Sequence, residues 1–581
     1  MRFSLQQKPY LPLAVLTCAL TAFSFSPVAA RHGMVASSEP LASEAGIQIL
    51  RAGGNAVDAA VAVGFALAVT HPVAGNIGGG GFMLIRLAKG EAVVVDYREA
   101  APAAASRNMY IISNGQVVAD ASTVGALSVG VPGTVAGLAL AEEKYGRLGL
   151  VRVMASAIHL AADGFAVSYG LSESLRLDQG LLSKFDASRR VFLRAGHLYE
   201  PGEGFKQPEL ARTLEAVARQ GAKGFYSGRV GQAIVATMEK YHGLITEQDL
   251  ARYHPILRQP LEGHFRGYEV LSVPPPSSGG VGLIEMLNIL EPLDLGVPNS
   301  FESMHFIAEA MRHAYADRAA YLGDADFVSV PVGRLTSQAY AAKLREEILH
   351  SKPEAPILAG NTQVFEGPQT THYSVVDAEG NAVANTYTLN NGYGSGVTVE
   401  GAGFLLNDEM DDFAAKPGAP NLYGLVQGEA NTIAPNKRPL SSMTPTLVLQ
   451  DGKLRLVLGS PGGGTIINTV LQVLLNALVF KMDILQAVSF PRFQHQWMPD
   501  RLILEQVGFS ADTIRDCGKP AIRLIFAMGS ATARRSRSIP IRDGSSARLT
   551  RAPTERRSDT DELRSLHLTV CRGKAQFPYP G

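Results

Sequence analysis

The chain has 581 residues, 53 basic against 53 acidic side chains, 46% hydrophobic residues and 18% charged ones, the balance of a globular protein with a large core. A formal charge of zero gives no basic footprint for nucleic acid, and the composition excludes a fibrous protein. Length alone predicts about three or four domains of typical size, unless one large layered body takes up the chain.

Arg2 and Lys8 precede an apolar run from Leu11 to Phe25, and SPVAA follows with small residues at Val28 and Ala30. That is the layout of a secretory signal peptide over residues 1–30, cut after Ala30. Its apolar run of about fifteen residues falls short of the ~20 that a spanning helix needs. A lipid-modified Cys18 is disfavoured because Thr17 is a poor neighbour for that signal. The mature protein is therefore expected to be exported, periplasmic or secreted. Only Cys517 and Cys571 remain once Cys18 is removed. Two cysteines make no disulfide scaffold, and no Cys/His spacing suggests a zinc site, so neither a metal nor a cofactor is expected.

From Ser43 to Thr70 small apolar residues recur at helical spacing, and Gly53 and Gly54 divide them into two helices, the second buried. Four glycines, Gly78 to Gly81, then precede a strand from Phe82 to Leu87, and Ala92 to Tyr97 forms another with Arg98 at its end. Residues from about Thr134 to Leu250 read as helices. PPPSSGG, Pro274 to Gly280, marks a rigid turn before a helical region that runs to about His350. Ser351 to Gln369 is polar, contains Pro and Gly, and has the composition of an exposed linker. Directly after it, Thr370 to Leu389 reads as a β-hairpin turning at AEGN, and Thr446 to Ser460 reads as a second hairpin around Asp451 and Gly452. Strands from distant segments with helices between them predict one layered α/β body.

The first hairpin carries the chemistry. A turn near Gly380 sets Thr388 and Asn390 close to Thr370, because paired strands lie about 4.8 Å apart. A threonine hydroxyl is a weak nucleophile unless a base lies beside it, and a threonine that opens a chain has its own α-amine as base. Internal Thr370 lacks that amine. Attack of its Oγ on the carbonyl of Gln369, an N-to-O acyl shift and hydrolysis would release one. The plainer reading is that threonine simply favours strands.

Three other stretches bear on the same chemistry. GSPGGG contains Gly462 and Gly463, whose N–H groups are able to face an oxyanion, although most glycine turns are only turns. LLNDEMDDF contains Glu409, Asp411 and Asp412. It lacks the alternate spacing of a calcium loop, so it reads as a solvated turn or as a seat for a substrate ammonium. Arg98 would complement such a seat by gripping a carboxylate. RPLSSMTPT, Arg438 to Thr446, is the third.

TTHYSVVDAEGNAVANTYTLN, GNIGGGGFMLIR, LLNDEMDDFAAKPG, PNKRPLSSMTPT and GSPGG together resemble the γ-glutamyltransferases (γ-glutamyltranspeptidases), from about Gly33 to Phe509. The resemblance implies an α/β fold, the four-layer αββα sandwich of the N-terminal nucleophile hydrolases. It implies a proenzyme that cuts itself between Gln369 and Thr370 into a large subunit, 31–369, and a small catalytic one, 370–581. Thr370 would then carry a γ-glutamyl ester, with Thr388 orienting it and Gly462 and Gly463 forming the oxyanion hole. Arg98, Ser441 and Ser442 would hold the substrate α-carboxylate, Asn390, Glu409 and Asp412 its α-amino group, and Tyr423 would belong to a lid. Glutathione is the implied donor, with water, amino acids or peptides as acceptors. The alternative in the same superfamily is a cephalosporin or glutaryl acylase, whose substrate lacks the α-amino group. Asp412 speaks against it, since a buried carboxylate without its ammonium is costly.

After Phe509 the pattern departs from the family. FAMGSATA still resembles a late strand, but the closing Asp-Pro-Arg is missing, and residues 510–581 are rich in Arg and poor in Lys. A shifted reading frame in a GC-rich gene would produce such a tail. A basic tail for an anionic surface is the functional alternative. If the lost strands belong to the central sheet, an uncut, inactive proenzyme is the further expectation.

Overall fold

The computed structural model describes residues 27–350, 369–505, 508–513, 524–527 and 567–568. The signal-peptide reading therefore lies outside the described residues except for 27–30. The same holds for 351–368 of the linker, for Cys18, Cys517 and Cys571, and for most of the tail after Phe509.

In chain order the strands of the two main sheets are β1 (Gly33–Ala36), β2 (Gly80–Arg86), β3 (Ala92–Asp96), β4 (Ile256–Arg258), β5 (Leu261–Phe265) and β6 (Tyr268–Ser272). They continue with β7 (Thr370–Asp377), β8 (Ala382–Thr388), β9 (Thr446–Gln450) and β10 (Lys453–Leu458). The six-stranded sheet has the order β1-β7-β8-β2-β3-β4. The five-stranded sheet runs β10-β9-β6-β5, with His567–Leu568 parallel to β10 at its edge.

Side chains alternate between the two faces of a strand, and that alternation sorts the core into layers. Phe82, Leu84, Val94, Val376, Ala382 and Ala384 of the first sheet meet Leu271, Leu447, Leu449 and Val457 of the second. The outer face of the first sheet, including Met83, Ile85, Tyr373 and Val375, packs on helices α1 (Pro40–Arg51) and α2 (Ala56–Thr70) and on those between 134 and 252. The outer face of the second, including Val270, Val448 and Leu456, packs on α3 (Gly279–Leu290), α4 (Phe301–Tyr321), α5 (Gln338–His350) and α6 (Ile466–Leu478). These layers make the expected αββα sandwich, a single layered body rather than three or four separate domains.

Helix α2 shows why small residues were selected. All fifteen of its residues are buried, and a Cβ at Gly64 would stand 2.7 Å from the Tyr373 hydroxyl, closer than packed atoms approach. Asn55 starts the helix through a capping box with Asp58, satisfying N–H groups that the buried first turn cannot give to water. The two helices expected around Gly53 and Gly54 are present, as are the two strands, the first running over Gly80–Arg86 and so taking in the last two of the four glycines, the second over Ala92–Asp96. The β5–β6 hairpin was not anticipated. Its signal is the Arg266-Gly267 pair, both at positive φ (49° and 81°), which is the dihedral signature of a tight hairpin turn.

Candidate active site

Strand β7 opens at Thr370 and pairs antiparallel with β8, which sets Thr370 directly opposite Thr388. The turn fixes that register. Asp377 Oδ1 accepts the N–H groups of Glu379 and Asn381, and Oδ2 accepts from Asn381 Nδ2 and the Ala56 N–H at the start of α2. The hairpin is thus locked both to itself and to the buried helix.

At the open end, Thr370 Oγ1 donates to Thr388 Oγ1 at 3.2 Å, and Thr388 Oγ1 donates to the Gln369 carbonyl oxygen at 2.8 Å. The N–H of Asn390 donates to the same Thr388 oxygen at 2.9 Å. Thr388 therefore touches both the attacking hydroxyl and the carbonyl it would attack. Further along the interlayer face, His372 is enclosed, its two nitrogens spent on Thr386 Oγ1 (2.8 Å) and Ser374 Oγ (3.0 Å). Burial pushes its pKa down to about 3, so it is a neutral strut of the hairpin. No sequence motif had singled it out.

The carboxylate cluster is not a solvated turn. Glu409–Asp412 is a short 3-10 turn with all four residues buried, because Arg98 reaches into it from the end of β3. Arg98 is 1% exposed. It donates from Nη1 to Glu409 Oε2 (2.6 Å) and Glu99 Oε2 (3.3 Å), from Nη2 to Asp412 Oδ2 (2.5 Å), and from Nε to the Pro439 carbonyl (3.1 Å). Arg98 thus pairs with the carboxylates that the resemblance assigns to the opposite end of the substrate. One guanidinium faces three carboxylates, and Oε1 of both Glu99 and Glu409 has no hydrogen-bond partner among the described residues. This surplus of buried negative charge is what an ammonium would relieve.

Burial, opposed by Arg98, pushes Glu99 up to about 7, and burial also raises Glu409. Because a free carboxyl titrates near 4.5, the folded chain holds the Glu99 proton more tightly than the unfolded one. Its contribution to stability is complete below about 4.5 and is lost as pH rises through about 7. Glu99→Gln should therefore raise Tm relative to the parent at pH 8 and show a smaller gain at pH 5. Thermal unfolding at the two pH values measures this, and a gain independent of pH would refute the assignment.

The opposite wall is built from RPLSSMTPT. The Pro274–Gly280 turn holds it: Ser441 N–H donates to the Pro276 carbonyl, Ser278 Oγ to the Ser441 carbonyl, and Ser277 Oγ to the Met443 carbonyl. Ser441 Oγ accepts the N–H of Met443 (3.0 Å), and Ser442 Oγ accepts from Arg318 Nη2 (3.3 Å). Each hydroxyl is occupied as an acceptor, which leaves its proton to donate, and two such donors side by side suit an anion.

Gly462 and Gly463 stand at φ +124° and +54°, conformations that an L side chain resists. Gly463 lines the cavity with Thr370, while Gly462 lies beside it in the turn, outside the lining residues. Tyr423 covers the cavity, its hydroxyl donating to the Asn390 carbonyl at 2.6 Å. Asn421 ties the same segment to Asp412 Oδ1 at 3.1 Å. The cavity is open to solvent, and about 280 Å³ of space lies among its lining residues with the solvent at its mouth included. Around it the fold assembles Thr370, Thr388, Asn390, Arg98, Glu409, Asp412, Tyr423, Ser441, Ser442 and Gly463, with Gln369 at the edge. A hydroxyl nucleophile, a glycine turn beside it, a carboxylate-rich end and an opposite wall of hydroxyl donors are the parts of an acyl-transfer site for a zwitterionic donor.

Comparison with known proteins agrees. The family described as gamma-glutamyltranspeptidase matches residues 42–529. A glutathione hydrolase proenzyme of Escherichia coli is 48% identical over 513 residues, covering 87% of this chain and 88% of its own. Among solved structures, a gamma-glutamyltranspeptidase from Helicobacter pylori superposes with a TM-score of 0.55 at 49% identity, over 56% of this chain and 93% of that one. A cephalosporin acylase from Bacillus halodurans superposes with a TM-score of 0.77 at 26% identity, over 91% and 93%.

Proposed function

The chain belongs to the γ-glutamyltranspeptidase family, and from that premise we propose that it cuts itself at Gln369–Thr370 and then transfers γ-glutamyl groups through Thr370. The donors are glutathione and related γ-glutamyl compounds; water, amino acids or peptides are the acceptors. The observation that carries this reading is the chain of contacts Thr370 Oγ1 to Thr388 Oγ1 to Gln369 O.

In the first stage Thr370 Oγ attacks the Gln369 carbonyl carbon, and the Thr388 hydroxyl already aimed at that oxygen stabilises the developing charge. Collapse breaks the C–N bond and forms an ester on Thr370, whose nitrogen takes the proton. Water cleaves the ester, giving a large subunit ending at Gln369 and a small one beginning at Thr370. The freed α-amine is then the base for the second stage. Thr370 Oγ attacks the donor's γ-carbonyl, Gly462 and Gly463 offer N–H groups to the oxyanion, and the leaving amine departs with the proton. Ser441 and Ser442 face the α-carboxylate, with Arg98 behind them, and Asn390, Glu409 and Asp412 face the ammonium. Tyr423 and its segment close over the acyl-enzyme. The signal-peptide layout supports export to the periplasm or medium.

Electrophoresis of the purified protein tests the cut. Two bands, the smaller beginning at Thr370 by N-terminal sequencing, with turnover of L-γ-glutamyl-p-nitroanilide, are the expected result. One uncut, inactive chain would instead identify a defective proenzyme, with the tail after Phe509 as the cause to examine.

A further inference from the structure

Helix α4 delivers one side chain to this site that neither the motifs nor the mechanism uses. Arg318 is 3% exposed. Its Nε donates to Ser278 Oγ at 3.0 Å, its Nη2 donates to Ser442 Oγ at 3.3 Å, and its Nη1 has no hydrogen-bond partner among the described residues. Both partners are neutral hydroxyls. The other arginines nearby are each neutralised directly: buried Arg98 by Glu409 and Asp412, buried Arg438 by Asp96, and half-buried Arg258 by Asp96 and Asp326. A buried guanidinium without an anion is costly, and burial indeed lowers the Arg318 pKa. Asp412 offsets that burial only in part and from a distance; among the described residues no carboxylate meets the Arg318 guanidinium directly.

The two hydroxyls lead to the cavity. Ser278, which Arg318 holds, fixes the Ser441 carbonyl, and Ser442 lines the cavity itself. A hydroxyl that accepts from a cation has a more polarised O–H and is the better donor to a carboxylate. Arg98 cannot carry this role alone, because its Nη1 and Nη2 already serve three protein carboxylates. We propose that Arg318 is the positioning residue for the donor's α-carboxylate, turning the Ser442 proton into the cavity and supplying the positive charge that Arg98 has already spent on Glu409 and Asp412. The inference rests on the γ-glutamyl reading and names how one end of that substrate is selected.

The test compares two donors, L-γ-glutamyl-p-nitroanilide and 4-aminobutyryl-p-nitroanilide, which keeps the amine but lacks the α-carboxylate. Arg318→Gln should raise KM for the glutamyl donor about 10- to 100-fold, the range of a charge-assisted hydrogen bond, with kcat within about threefold. It should leave kcat/KM for the aminobutyryl donor unchanged. Arg318→Lys should recover part of the loss, and Ser442→Ala should reproduce the donor-selective rise. The double variant should be no worse than Arg318→Gln alone, because both groups serve one carboxylate. Equal losses on both donors, in protein that still cuts at Thr370, would assign Arg318 a structural role and overturn the proposal; so would no loss at all. If Arg318→Gln does not fold, Arg318→Lys and Ser442→Ala decide by the same donor comparison. A parent enzyme that does not distinguish the two donors would sink the γ-glutamyl reading itself, a failure recognisable before any variant is made.

Discussion

Thr370→Ala is expected to run as a single uncut chain, with γ-glutamyl turnover at least about 10⁴-fold below the parent, the scale lost when an acyl-transfer nucleophile is removed. The effect is large because the same oxygen is needed twice, first against Gln369 and then against the donor. Thr370→Ser keeps the oxygen and should still cut, but more slowly. Thr388→Ala keeps the nucleophile and removes the hydroxyl that lies 2.8 Å from the Gln369 carbonyl oxygen. Its cut should slow by about 10²- to 10³-fold, the cost of one oxyanion donor. Electrophoresis over time, with intact mass of the fragments, measures all three. Fragments of Thr370→Ala cut at the same bond, the smaller one lighter only by the substitution, would show that another group makes the cut.

The hairpin that carries this chemistry was legible because its register has only two unknowns, the turn and the face. AEGN supplied the first, and the alternation of Tyr373 and Val375 with His372 and Ser374 supplied the second. Helix α2 was legible for a similar reason, since its composition and capping agree with its burial. Pairings between distant segments were not. Arg98 and Asp412 are 314 residues apart, and nothing in either stretch says that the guanidinium would be spent on the carboxylates. For the same reason LLNDEMDDF read equally well as a solvated turn, since four acidic residues in nine look exposed until a buried arginine is placed among them. Arg318 was hidden differently. On the pattern of α4 it is one more polar residue of a helix, and only its neutral partners and its idle Nη1 distinguish it.

The interlocking of Arg98 with Asp412 also fixes the sign of the strongest specificity prediction. Asp412 Oδ2 accepts from Arg98 at 2.5 Å and Oδ1 accepts from Asn421 Nδ2 at 3.1 Å. In Asp412→Asn one of these positions becomes an NH₂ facing a donor, whichever way the amide turns. The ammonium end then loses charge and order together. For γ-glutamyl-p-nitroanilide, kcat/KM should fall about 10²- to 10³-fold, the lower range for breaking a buried ion pair. Glutaryl-p-nitroanilide is the same donor without the α-amino group, so it never used that seat. Moreover, Arg98 is released from one of its carboxylates in the variant and becomes freer to meet an incoming one. The glutaryl donor should therefore keep its kcat/KM within about threefold, or gain. Equal loss on both donors would place the ammonium elsewhere. A parent enzyme that prefers the glutaryl donor would favour the acylase alternative, because three carboxylates around one arginine are then an unrelieved cost rather than a binding site.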